Sequence, residues 1–190
     1  MSNGPLHGVR VIDWTHMHQG PAGGMYLAEL GADVIHVEQK GVGDVMRGSR
    51  TICGVPVTLP GDRNVFFEDL NKNKRGISID LSKPQGKEIM YRLVEKADVF
   101  LTNYRPKAAQ KLGLDYETLR GLNTRLVYGL ATSYGDRGPE KDSPGIEMGA
   151  FARSGILFAN GQGDAGPTSL PVASGDRIGG VFLALGAVTR

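Results

Sequence analysis

Apolar residues in this chain fall into short runs of strand length that alternate with segments of helical period. Residues 9–13 (VRVID) form a compact β-branched run closed by an acid, the pattern of a buried strand. Residues 21–30 follow with helical spacing and a proline in the first turn, and Gly31 stops them. Residues 34–37 give a second strand. Such a strand–helix–strand unit favours a parallel sheet with a right-handed crossover. Further along, the pattern predicts a short strand over 76–81, an amphipathic helix over 83–96 and a strand over 98–101. Short helices over 106–111 and 116–122 precede another strand over 125–131. Residues 41–63 are rich in glycine and proline and read as one long loop, and long loops in compact domains tend to carry function. A polar Gly/Pro loop over 133–145 leads into a weakly helical stretch ending at Ile156. Residues 159–169 (ANGQGDAGPTS) read as a flexible tip, and the last helix is expected to begin after Asp176. The chain ends at Arg190 inside that helix with no stop signal, which predicts an incomplete domain. The alternation as a whole reads as α/β.

Composition narrows the classes of function. With 22 basic and 20 acidic residues in 190, the net charge of +2 is too small to argue for nucleic acid or a membrane surface. The single cysteine, Cys53, excludes an internal disulfide framework and a zinc motif and fits a reduced, cytoplasmic setting. No apolar run approaches the roughly 20 residues of a spanning helix, and the start MSNGPLHG does not have the form of a signal peptide. The 28 glycines fall at segment junctions, as in a loop-rich α/β enzyme.

Candidate chemistry clusters where predicted strands end. The first strand-to-helix turn, DWTHMHQGPAGG, sits where α/β folds bind phosphates or cofactors, but it is not G-x-G-x-x-G. His16 and His18 alternate in what reads as an extended segment and would point to opposite sides. With no third ligand, they make a poor metal site, and one of them lining a pocket is the better reading. Glu38, ending the second strand, is either a ribose ligand or a solvated strand-end acid. The basic run Asn71-Lys-Asn-Lys74-Arg75 is either a solvated edge or a neutraliser of phosphates. Asn103, Tyr104 and Arg105 gather an amide, a ring and a guanidinium before Pro106, which also reads simply as a helix start. Near the end, Gly175-Asp176 places a lone carboxylate at the mouth of an apolar helix. There it reads as an N-cap or as a nucleophile kept ionised by the helix terminus.

Taken together, these stretches resemble the family III CoA-transferases, which include formyl-CoA and carnitine CoA-transferase-like enzymes. The matching pieces, in order, are PLHGVRVIDWTHMHQGPAGGMYLAELGADVIHVE, GVGDVMRG, NKNKRGISIDL, ADVFLTNYRPKAAQKLGL, NTRLVYGLATSYGDRGP and SGDRIGG. The likeness runs over residues 5–190, and the ordered set is far more specific than any one piece. Members of that family are about twice this long, so the chain resembles their N-terminal half. The resemblance implies a doubly wound, mostly parallel, Rossmann-like large domain over 1–190, without the small domain and the returning C-terminal segment. It also implies that two full-length chains interlock like rings.

What the resemblance implies for the site is specific. Its nucleophilic aspartate falls on Asp176. Its CoA-contacting positions fall on His18 and Gln19, on Gln39 with the neighbouring Lys40, on Ile79, Asp80, Leu81 and Ser82, and on Asn103, Tyr104 and Arg105. They continue on Lys111 and on Pro144, Gly145, Ile146 and Glu147. A glutamine of formyl-CoA transferase is His18 here, which bears on acyl selectivity. An arginine flanking the adenosine there is Gln39 here, which shifts the burden of affinity to Lys40, Arg105 and Lys111. The implied substrates are acyl-CoA and a small carboxylic acid, with no metal. Asp176, ionised at neutral pH, would pass CoA between acids through an aspartyl-CoA thioester, with the N–H groups of Gly179 or Gly180, or those of the family's glycine-rich loop outside this half, stabilising oxyanions. A 2-methylacyl-CoA racemase shares the fold, but racemases carry a His-Asp pair where this chain has Ile146-Glu147. A CoA-binding subunit or fragment without turnover is the third reading, and the 190 residues alone are expected to associate or fold marginally.

Overall fold

The computed structural model describes residues 4–52, 54–161, 166–171 and 173–189. Cys53 and part of the predicted tip, residues 162–165, lie outside the described residues. The chain opens with β1 (Arg10–Trp14), α1 (Gln19–Glu29) and β2 (Asp33–Gln39). Next come α2 (Val45–Gly48), β3 (Thr51–Ile52), β4 (Val55–Pro56), β5 (Thr58–Leu59), β6 (Arg63–Asn64) and α3 (Val65–Leu70). The chain continues through β7 (Arg75–Ile79), α4 (Pro84–Val94), β8 (Val99–Thr102), α5 (Pro106–Leu112), α6 (Tyr116–Leu122) and β9 (Val127–Leu130). It closes with α7 (Glu147–Arg153), α8 (Ile156–Asn160) and α9 (Ser174–Val188).

Five strands form one parallel sheet in the order β7-β2-β1-β8-β9. The order therefore runs outward from β1 in one direction and then, after β7, outward in the other. Alternate residues of each strand feed opposite faces. Ile12, Ile35 and Phe100 join a core with Met90, Val94, Leu114 and Leu119 from the α4–α6 side. Val11, Val34, Val99 and Leu101 join a second core with Leu27, Ala28, Ala184 and Ala187 from α1 and α9. Two apolar faces on one sheet require helices on both sides, and this is the doubly wound α/β arrangement.

α1 and α9 lie unusually close, and small residues permit it. A Cβ on Gly180 would stand 2.6 Å from the Ala22 Cβ and 3.0 Å from the Gln19 carbonyl oxygen. One on Gly23 would stand 2.9 Å from Leu183 Cδ2. The backbones can approach only because those methyl groups are missing.

Two expectations change. Residues 41–63 are not a featureless loop, since they hold α2 and two small antiparallel ribbons, β3–β4 and β5–β6. The second ribbon turns through Gly61 and Asp62, both at positive φ. Strands of two residues have no periodicity to read. The weakly helical stretch holds α7, which is followed at Gly155 (φ 77°) by a break and then by α8, a helix that starts where the stretch was expected to end and takes in the first two residues of the predicted tip.

Candidate active site

Where the sheet order reverses, between β1 and β8, the segments leaving the two carboxyl ends must diverge, and a crevice opens between them. A cavity of about 820 Å³ occupies that place. Its walls come from the His16–Gln19 turn after β1, the Asn103–Arg105 turn after β8, Met46 of α2, the 143–148 segment and the start of α9. Asn103 ties the two turns together: its Oδ1 accepts from the His16 N–H (3.0 Å), and its Nδ2 donates to the His16 carbonyl (2.7 Å). The Tyr104 ring is stacked between Trp14 (4.2 Å) and His16 (4.5 Å), giving this mouth a rigid aromatic floor.

The carboxylate of Asp176 lines the cavity from the first turn of α9. It is not the cap. The helix begins at Ser174, after Ala173 in left-handed geometry (φ 68°), and that end has no side-chain cap of its own. The acceptor comes from α7 instead: Glu147 takes the N–H of Ala173 (2.8 Å) and the N–H of Asp176 (2.9 Å). Gly175 makes room, since a Cβ there would stand 3.2 Å from Glu147 Oε2 and 2.9 Å from Phe151. With Glu147 occupying the positive end of the helix, Asp176 gains little from it. Burial and the Glu147 charge push its carboxyl up to about 6. The carboxyl is thus not held down by the helix terminus as expected, although the ionised form still dominates at neutral pH. The adjacent Arg177 does not relieve it, because its guanidinium pairs with Asp69. The outcome is a half-buried carboxylate beside a second negative charge, a good arrangement for a nucleophile.

His18 is buried at the foot of the same cavity, its ring edge-on to Phe66 (4.5 Å). Burial first, then the Arg177 charge, lowers it to about 4, so it is neutral at physiological pH. Its Nε2 has no partner among the described residues. Met17, at φ 67°, breaks the extended run expected through the two histidines, and both line the one cavity. The Gly179 and Gly180 N–H groups, expected as oxyanion donors, lie in the second turn of α9, where the helix ladder uses them. Their missing side chains serve α1 instead, and a Cβ on Gly179 would run into the Gln19 side chain.

The family model for CoA-transferase family III matches residues 6–190. This chain belongs to CoA-transferase family III. It is 38% identical over 180 residues to the cinnamoyl-CoA:phenyllactate CoA-transferase of Clostridium sporogenes, covering 94% of this chain and 43% of that protein. It is 36% identical over 188 residues to the formyl-CoA:oxalate CoA-transferase of Bradyrhizobium sp. (strain ORS 278), covering 97% and 42%. Among solved structures it superposes on a CAIB/BAIF family protein from Brucella suis with a TM-score of 0.88 at 33% identity, covering 98% of this chain and 48% of that one. Rv3272 from Mycobacterium tuberculosis gives a TM-score of 0.84 at 35% identity, covering 97% and 50%. The chain spans less than half the length of the curated relatives it matches.

Of the family III positions carried onto this sequence, the fold gathers ten around the cavity. They are Asp176, His18, Gln19, Asn103, Tyr104, Arg105, Pro144, Gly145, Ile146 and Glu147. The others do not line it. Gln39 pairs in register with Ile79 at the carboxyl edge of β2 and β7, and Lys40 donates its N–H to the Ile79 carbonyl (3.2 Å). Ile79 is itself core, and Asp80 and Ser82 bond to each other through the Ser82 N–H (3.0 Å) and hydroxyl (2.6 Å). Lys111 sits exposed in the last turn of α5. Sequence reasoning missed Met46, Ser143 and Lys141 in the cavity wall, because nothing in their spacing marks them.

Two other readings are corrected. Glu38 is no free ribose ligand: Arg47 grips it with two contacts of 2.7 Å. The basic run is a solvated edge only in part, since Lys72 and Arg75 are exposed beside the edge strand β7 while Lys74 turns inward. Lys74 is buried against Asp13 (2.8 Å), while Arg75 pairs with Asp33 and Lys72 with Glu29 and Asp69. Among the described residues no cluster of three His, Cys, Asp or Glu side chains is arranged to hold a metal, and no helix is long and apolar enough to cross a membrane.

Proposed function

We propose that this chain is the CoA-binding, nucleophile-bearing part of an acyl-CoA:carboxylate CoA-transferase, acting through an aspartyl-CoA thioester on Asp176. The observation that carries the reading is the Asp176 carboxylate at the switch-point cavity, half-buried, without a cation partner among the described residues and raised to about 6. A carboxylate raised by desolvation is more nucleophilic than a solvated one and remains ionised at pH 7.

The chemistry follows from that group. The Asp176 oxygen attacks the thioester carbonyl, the C–S bond breaks, and CoA leaves as its thiolate, giving an acyl–aspartyl anhydride. The thiolate then attacks the aspartyl carbonyl, expelling the donor carboxylate and leaving an aspartyl-CoA thioester. The acceptor carboxylate attacks that thioester, CoA leaves again, and its return to the acceptor acyl carbon frees Asp176. No step needs a general base, and the thioester energy is conserved throughout. His18, neutral and with Nε2 unpartnered among the described residues, would hydrogen-bond the acyl group, and Arg105, in the cavity wall, would meet phosphate. The commitment of both Glu147 oxygens to the α9 terminus argues against a proton-shuttling racemase.

The test is trapping. Full-length protein incubated with acyl-CoA and then hydroxylamine should carry a hydroxamate on Asp176 by peptide mass spectrometry, and Asp176→Ala should carry none while still binding CoA. Turnover by the alanine variant at near the wild-type rate would overturn the assignment.

A further inference from the structure

Beneath the cavity mouth lies a buried polar cluster that the transfer chemistry does not use. Asp13 on β1 is fully buried. Its Oδ1 accepts from the Thr15 hydroxyl (2.5 Å), and its Oδ2 accepts from the Lys74 ammonium (2.8 Å) and lies 3.3 Å from His36 Nδ1. Lys74 completes its shell with the Pro21 carbonyl (2.8 Å) and Asn71 Oδ1 (3.1 Å). On the far side of the same imidazole, His36 Nε2 lies 3.7 Å from Asp44 Oδ2. Both of these atoms are buried, and neither has a hydrogen-bond partner among the described residues.

A carboxylate oxygen and a bare imidazole nitrogen are both acceptors, and burial denies them water. Facing each other, they need a hydrogen between them. The charges point the same way. Asp13 and Asp44 against Lys74 leave one buried negative charge, and one proton cancels it. Among the described residues, the other groups around the imidazole supply no competing partner. Glu38 is held by Arg47, the Phe67 ring lies 6.5 Å away, and His16 and Tyr104 reach Asp44 only through space. Burial also pushes the Asp44 carboxyl up.

Asp44 is where this cluster meets the cavity. Its Oδ1 caps α2 through the Met46 N–H (2.8 Å), and Met46 is a wall of the cavity. The Met17 N–H also favours the Asp44 charge, and Met17 sits in the left-handed region, where a non-glycine residue must be held. We propose that a proton on His36 Nε2, which faces Asp44 Oδ2 at 3.7 Å as an ion pair, pins the Asp44–Gly48 segment and the His16–Gln19 turn to the sheet, making His36 a positioning residue for the cavity. Loss of that proton as pH rises leaves two acceptors opposed, and the mouth loosens.

The test has one arm independent of CoA. Tryptic cleavage after Arg47 and Arg50, normalised to an unfolded control peptide, should speed up with pH in wild type as a one-proton step. In His36→Lys, whose ammonium lies between the Asp13 and Asp44 carboxylates and holds its proton to higher pH than an imidazole, cleavage should stay slow. In His36→Leu, which offers Asp44 no hydrogen, it should be fast throughout. If the variants fail to fold, ¹⁵N-histidine NMR of wild type replaces them, with the His36 ring signals shifting at the pH of the cleavage step. A segment equally protected at all pH in wild type and His36→Leu, or His36 signals that ignore the step, would overturn the proposal. The second arm rests on the CoA reading: in full-length enzyme, KM for acyl-CoA should rise about tenfold per pH unit above the step, with kcat little changed, because only the pinned fraction binds. Cleavage that follows the step while KM does not would leave the pin standing and remove CoA from this cavity.

Discussion

Replacing Asp176 with asparagine should abolish acyl exchange and, at neutral pH, make the protein more stable. The carboxyl moves from an ordinary 3.8 to about 6 on folding, because burial and Glu147 disfavour its charge. A shift of about two pH units at about 1.4 kcal/mol each sets an upper bound of about 3 kcal/mol. Partial solvent access roughly halves this, leaving about 1–2 kcal/mol. The folded pKa is raised, so the protonated carboxyl is favoured in the native state at low pH, and that advantage is lost as pH rises through about 6. Asparagine never ionises and escapes the loss. Its gain should be near zero at pH 4, grow between pH 4 and 6, and level off above. For a domain of this size that corresponds to about 3–6 °C in melting temperature. Thermal melts of both proteins across pH 4–8, with exchange assays alongside, make the measurement. An asparagine variant that melts at or below wild type at pH 7, or gains as much at pH 4, would refute the electrostatic account of this site.

Other consequences follow from single contacts. Gly180→Val should force α1 and α9 apart and cost about 1–3 kcal/mol in urea unfolding, while an unchanged midpoint would remove the close-packing argument. Lys74→Met leaves Asp13 buried without its cation and should destabilise by about 3–5 kcal/mol, whereas a loss under about 1 kcal/mol would show that His36 and Thr15 suffice. Arg105→Ala should weaken CoA binding about tenfold in calorimetry and flatten its salt dependence, with Lys111→Ala doing less, since of these two Arg105 lines the cavity and Lys111 does not. Ile178, Val181, Phe182 and Leu185 form an exposed apolar row on α9, so the 190-residue chain should self-associate in light scattering and Phe182→Glu should reduce it.

The main strands and helices were legible because their signals are local. β-Branched runs such as VRVID and VFLT bury both faces in a parallel sheet, and proline or glycine marks the helix ends. Asp176 could be singled out as the lone acid of an apolar helix. The sequence could not say how that acid is held, because its neighbour Glu147 arrives from α7, 29 residues away. The same holds for Lys74, which reads as part of a solvated basic run and is in fact buried on Asp13, 61 residues earlier. The glycines of the SGDRIGG stretch suggested oxyanion donors, yet they are spaces for another helix. Spacing along a chain determines which residues share a face of a strand or helix. Which charge meets which, and how far burial then moves a pKa, depends on contacts between distant segments, and only the folded sheet with helices on both faces brings those together.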